Sequence, residues 1–95
     1  MNIETLEAEI EKLRVEFEQR KRELQIQFAK ANNPYKVGDI LQDNYKIGRV
    51  TSIVTYLSKE PQMIYKVVLL NKDLTEKKKN NIGQIFQQNV KAKLN

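Results

Sequence analysis

Residues 47–70 read IGRVTSIVTYLSKEPQMIYKVVLL. The first part, Ile47 to Leu57, is dense in Val, Ile, Thr and Tyr, the branched and aromatic side chains that suit a pleated surface. The last part, Met63 to Leu70, is apolar enough for a central strand. Between them SKEPQ, residues 58–62, is polar and carries a proline, which marks a turn. Two strands joined this way make an antiparallel hairpin. Working outward, YKVGDILQ (35–42) predicts a strand before the hairpin. After it, NKDLTEKKKNN (71–81) predicts a polar loop and IGQIF (82–86) a fourth strand. QQN (87–89) predicts a 3₁₀ turn and VKAKL (90–94) a short closing strand. No segment is long enough to supply crossover helices, so five short strands imply an antiparallel meander. Closing such a sheet into a small barrel would remove its edges. Gly38 and Gly48 are expected where a strand bends or bulges, and Gly83 where the loop re-enters a strand.

The order of pieces resembles the SH3-like small barrel. VGDIL (37–41) is similar to the first-strand pattern of such barrels. IGRVTSI (47–53) is similar to the opening of the second strand in KOW-type and related SH3-like domains. FQQNVKAKL (86–94) resembles a 3₁₀ turn leading to a last strand. The resemblance covers residues 35–95 and implies an SH3-like fold there. It does not imply proline-rich ligand binding, because the chain has no Trp and no acidic groove pattern.

Residues 1–33 read differently. This part has no glycine and is rich in Glu, Leu, Gln and Arg. Asn2 can cap a helix, and Asn32-Asn33-Pro34 stops one, because proline disfavours helical geometry in the residue before it. With Ile3 at heptad position a, Leu6 is d, Ile10 a, Leu13 d, Phe17 a and Leu24 a. Arg20 and Gln27 interrupt position d. A helix over 3–31 would be about 43 Å long, more than the second part can cover. Position g carries Glu9, Glu16 and Glu23; position e carries Arg14, Lys21 and Phe28. A parallel pair sets Glu9 against Arg14 and Glu16 against Lys21 of the other copy, whereas an antiparallel pair sets like against like. The expected fold class is therefore α+β. A coiled-coil helix over 1–33 forms a parallel homodimer through Ile3, Leu6, Ile10, Leu13, Phe17 and Leu24, and an SH3-like barrel occupies 34–95. The competing reading is an amphipathic helix lying on its own barrel.

The chain has 95 residues and a net charge of +5, with no Cys and no His. That excludes disulfides, thiolate or imidazole metal sites and His-based triads, and no Gly-rich phosphate loop is present. No enzyme, cofactor or metal is expected. Asp39 and Asp43 are close enough in sequence to suggest a carboxylate pair for Mg²⁺ or acid–base work, but each suits a turn beside Gly38 or Asn44. No apolar run reaches the roughly 18 residues of a membrane span, and MNIETLEAEIEK is not a signal peptide. A cytoplasmic protein with no membrane partner is expected.

Charge is partitioned. Residues 1–34 hold seven acidic and six basic side chains, and residues 35–95 hold five acidic and eleven basic. Lys46, Arg49, Lys77, Lys78 and Lys79 are the candidate contacts for an acidic protein surface or for nucleic acid; their other reading is solubility. Tyr35, Tyr45, Tyr56, Tyr65 and Phe86 would form a stacking platform or a cage only by converging, and Tyr45, in the DNYK turn, is the one expected to be exposed. These features suggest a dimeric adaptor or inhibitor of an acidic protein or nucleoprotein, or alternatively a nucleic-acid-binding module. A small Lys-, Asn- and Ile-rich chain of this kind is similar in general appearance to accessory proteins of phages and mobile elements. Some of those inhibit host nuclease defences.

Overall fold

The computed structural model describes the whole chain, Met1–Asn95. A single helix, α1 (Ile3–Ala31), precedes five strands: β1 (Ile40–Gln42), β2 (Ile47–Tyr56), β3 (Gln62–Leu70), β4 (Ile82–Phe86) and β5 (Ala92–Lys93). A 3₁₀ turn over Gln87–Asn89 joins β4 to β5. All pairings are antiparallel, in the order β4-β3-β2-β1-β5. The chain is thus α+β, a helix followed by a five-stranded antiparallel sheet.

The helix starts where its cap allows. Asn2 accepts a hydrogen bond from the Thr5 N–H at 2.8 Å, satisfying one of the unpaired donors of the first turn. Glu4 lies in the first turn and Lys30 in the last, each matching the helix dipole. Beyond Asn32 the chain leaves helical geometry ahead of Pro34.

The sheet is not closed. β4 and β5 are its two edges and do not pair with each other, so the expected closure is not made. β1 and β5, at three and two residues, are too short to wrap the sheet round. Instead the core residues Leu41, Val50, Met63, Tyr65, Val67 and Ile85 are joined by Ala29 of the helix, with Tyr35 and Val90 packed against them.

β1 is shorter than the sequence predicts, 40–42 rather than 35–42. Gly38 has φ +96°, left-handed geometry that glycine alone adopts readily, and the Asp39 carboxylate accepts a hydrogen bond from the Lys36 N–H at 3.0 Å. Together they fold 36–39 into a turn. Gly48 does not mark a bulge either; it faces inward, and a Cβ there would overlap the Val67 side chain. The bulge falls at Thr51, between Val50 and Ser52, where it sharpens the coiling of β2.

Three groups tie helix to sheet. Ala29 is fully buried. The Tyr65 hydroxyl donates to Asn33 Oδ1 at 2.6 Å, and that oxygen also accepts from the Tyr35 N–H at 3.1 Å. Gln87 donates to the Asn32 carbonyl at 2.8 Å and accepts from the Met63 N–H at 2.9 Å. The rest of the helix projects, giving the molecule a long dimension of 69 Å against 26 and 19 Å.

Candidate functional site

β2 and β3 form the longest ribbon of the sheet. The β2–β3 turn lies beside the helix, with Ser58, Glu60, Pro61 and Gln62 around Phe28 and Asn32. The opposite end of the ribbon is one β2 length away, ten residues, or about 30 Å at about 3.3 Å per residue. There the β1–β2 turn and the β3–β4 loop meet in an open groove of about 540 Å³.

The turn is built by one side chain. Asp43 Oδ1 accepts from the N–H groups of Tyr45 and Lys46, both at 2.8 Å, and Oδ2 lies 3.0 Å from Lys46 Nζ. Burial works to raise the Asp43 pKa, but the bonds from Tyr45 and Lys46 and the Lys46 charge prevail, and it lies below the ordinary carboxylate value. Asp39 is likewise engaged, by the Lys36 N–H and by Lys93 Nζ at 3.7 Å. Both aspartates are buried and serve the backbone. A depressed folded-state pKa means that the unfolded chain takes up the proton first as pH falls. The stability contributed by Asp43 is therefore full above the ordinary Asp value and lost as pH drops through the folded-state value. The melting temperature should fall as pH is lowered below about 4, and less so in Asp43→Asn; equal falls in the two proteins would contradict this role.

The basic candidates divide. Lys46 and Lys77 line the groove together. Arg49 is engaged elsewhere, 3.0 Å from Glu76. Lys78 and Lys79 are exposed on the loop outside the groove. Lys72, which the sequence does not single out, joins the lining with Gln42, Asn44 and Asn71. Neither Lys72 nor Lys77 forms an ion pair. The signal for Lys72 is its place in the same polar loop as Lys77; the 71–77 fold-back brings the two together, with the Lys77 N–H bonded to the Leu69 carbonyl.

The aromatic residues do not converge. Tyr35 and Tyr65 meet edge to face in the core, and Tyr56 and Phe86 do so separately, each pair at 5.6 Å. Tyr45 stands alone at the mouth of the groove, 91% exposed.

The second candidate surface is the helix. Every residue from Ile3 to Leu24 is exposed, including all six seam positions. Only Gln25, Ile26 and Ala29 are shielded by the sheet. They occupy heptad positions b, c and f, across the helix from a and d. Leu24 (61% exposed) remains clear of the sheet, and Phe28 is half-exposed beside the β2–β3 turn, so only the last turns of the helix pack on its own domain. No helix is long and apolar enough to cross a membrane. No family model, curated protein or solved structure matches the chain.

Proposed function

We propose that this is a non-enzymatic binding protein that pairs as a parallel coiled-coil dimer and presents two basic domain ends to an acidic partner. One observation carries the reading: the sheet binds the helix through its b, c and f positions and leaves the whole Ile3–Leu24 seam in water. A run of six large apolar side chains on one face is costly to leave solvated, and a second copy covers it with matched charges. Arg14 pairs with Glu11 at 2.5 Å within one helix; an exposed pair of this kind is worth only about 0–1 kcal/mol, so exchanging it for Glu9 of the second copy is easy. The domain behind the helix is read as an SH3-like barrel left open along one side, supported by the strand order and by the 3₁₀ turn before the last strand.

Orientation has a direct test. In Ile3→Cys, a parallel dimer brings the two thiols together and oxidises rapidly to a cross-linked pair. An antiparallel dimer holds them about 40 Å apart, and failure to cross-link in a protein of dimeric mass would refute the parallel arrangement.

The acidic-partner reading rests on the charge partition and on the free ammonium groups of Lys72 and Lys77. Replacing Lys77, Lys78 and Lys79 with Glu turns three positive charges negative in each chain. Exposed loop lysines contribute little to packing, so stability should change by less than about 0.5 kcal/mol. Retention on a heparin column should drop to a clearly lower eluting salt. Unchanged elution, with the circular dichroism spectrum intact, would return these lysines to a solubility role.

A further inference from the structure

The groove at the far end of the β2–β3 ribbon has a composition that narrows the choice of acidic partner. The geometry points to single-stranded nucleic acid, with one base stacked on Tyr45 and the adjoining phosphates held by Lys72 and Lys77. This assignment rests on the basic end being the binding end.

The first observation is Tyr45. An aromatic ring 91% exposed gains almost nothing from burial in its own domain. Its backbone is nevertheless held in a defined place, because Asp43 fixes the turn on both sides of it. A solvated aromatic face carried on a fixed turn beside the groove is open to an unstacked base, and any of the bases can use it. The second observation is the lining. Gln42, Asn44 and Asn71 supply amide donors and acceptors, and Lys72 and Lys77 supply uncompensated charge. Beside Tyr45 the apolar lining is Ile47 and Leu70, and Leu70 is buried. A stable protein interface would want an apolar centre; this groove has amides and ammonium groups around one ring. A duplex keeps its bases stacked and offers none to Tyr45, so the single strand is the matching form.

The test is titration of the full-length chain with fluorescent oligothymidylate, the equivalent duplex and polyglutamate over a salt series. Oligothymidylate should bind most tightly. Tyr45→Ala should weaken it roughly five- to hundred-fold, while Tyr45→Phe retains it. Lys72→Gln combined with Lys77→Gln should flatten the salt dependence, by about 0.7 in the log–log slope for each phosphate no longer neutralised. Duplex binding equal to or tighter than single-strand binding would overturn the assignment. So would equal binding of oligothymidylate and polyglutamate with no response to Tyr45→Ala; the basic end would then remain a general polyanion surface, with an acidic protein as its partner. Binding of none of the three at low salt would overturn both this assignment and the reading on which it rests.

Discussion

Changing Ile10 and Leu13 together to Asp is expected to yield a folded monomer. The two positions are consecutive a and d sites, so the dimer would bury four carboxylates in adjacent layers of its seam. Isolated charges removed from water cost several kcal/mol each even after relaxation, more than the exposed g–e pairs return. The sheet domain should be untouched, because Ile10 and Leu13 are 56% and 64% exposed and meet nothing in the sheet of their own chain. The projecting helix should fray, since it would lose the proposed partner over its apolar face and isolated helices are marginal in water. Sedimentation velocity should therefore report half the mass, and circular dichroism a partial loss of helix with the sheet retained. The melting temperature of the unmodified chain should rise with protein concentration, and that of the variant should not. A monomer at micromolar concentration for the unmodified chain would refute the dimer.

The second large effect is expected at Tyr65. It is the largest fully buried side chain, and it joins the inner face of β3 to the helix end through Asn33. Truncating a buried aromatic to Ala costs about 3–5 kcal/mol. A domain of about 60 residues is marginal to begin with, so Tyr65→Ala should be largely unfolded at room temperature. Tyr65→Phe keeps the ring and loses only the hydroxyl bond; Asn33 Oδ1 retains the Tyr35 N–H, so the cost should be near 1 kcal/mol. Burial, with smaller contributions from Tyr35 and Asp39, pushes the Tyr65 phenol up to about 12. The raised value means that the folded state holds the proton more tightly than the unfolded chain. The associated stability is full below the ordinary tyrosine value near 10 and lost as pH rises towards 12. Alkaline melting curves should show this loss in the unmodified chain and less of it in Tyr65→Phe; identical curves would assign the alkaline transition to other groups.

Much of the architecture is legible in local chemistry. The Asn2 cap, the 3-4 spacing from Ile3 to Phe17 and Pro34 bound the helix to within a residue, because each acts over a single turn. β4 and the 3₁₀ turn fall at 82–86 and 87–89 as the composition predicts. The first and last strands are overestimated because Val37 and Val90 have β-forming side chains but lie beside backbone that turns, at Gly38 in one case and the 3₁₀ turn in the other. The Thr51 bulge has no marker of its own; it is set by the fit of β2 against β3. Closure fails as an expectation because edge avoidance is a general pressure, whereas Ala29, Tyr35 and Val90 cover the core by another route. At the site, the excess of positive charge is visible in the sequence, but its distribution is not. Arg49 meets Glu76 across 27 residues of chain, and the groove needs two loops distant in sequence, so Lys72 could not be paired with Tyr45 by spacing alone.

The junction at Asn32–Asn33 bears on valency. Gln87 bridges the Asn32 carbonyl and the Met63 N–H, and Tyr65 holds Asn33, so helix and sheet are joined without a slack linker. In the proposed dimer the two grooves are then mounted like the jaws of a fixed calliper. With a flexible tether, a second binding event is tolerant of where the second site lies; with a stiff mount, its effective concentration is high at one separation and falls towards zero at others. Such a dimer would measure distance: two weak contacts would reinforce each other only on a partner whose negative sites recur at the spacing of the jaws. Inserting Gly-Ser residues after Asn33 would relax that selectivity while leaving each groove unchanged.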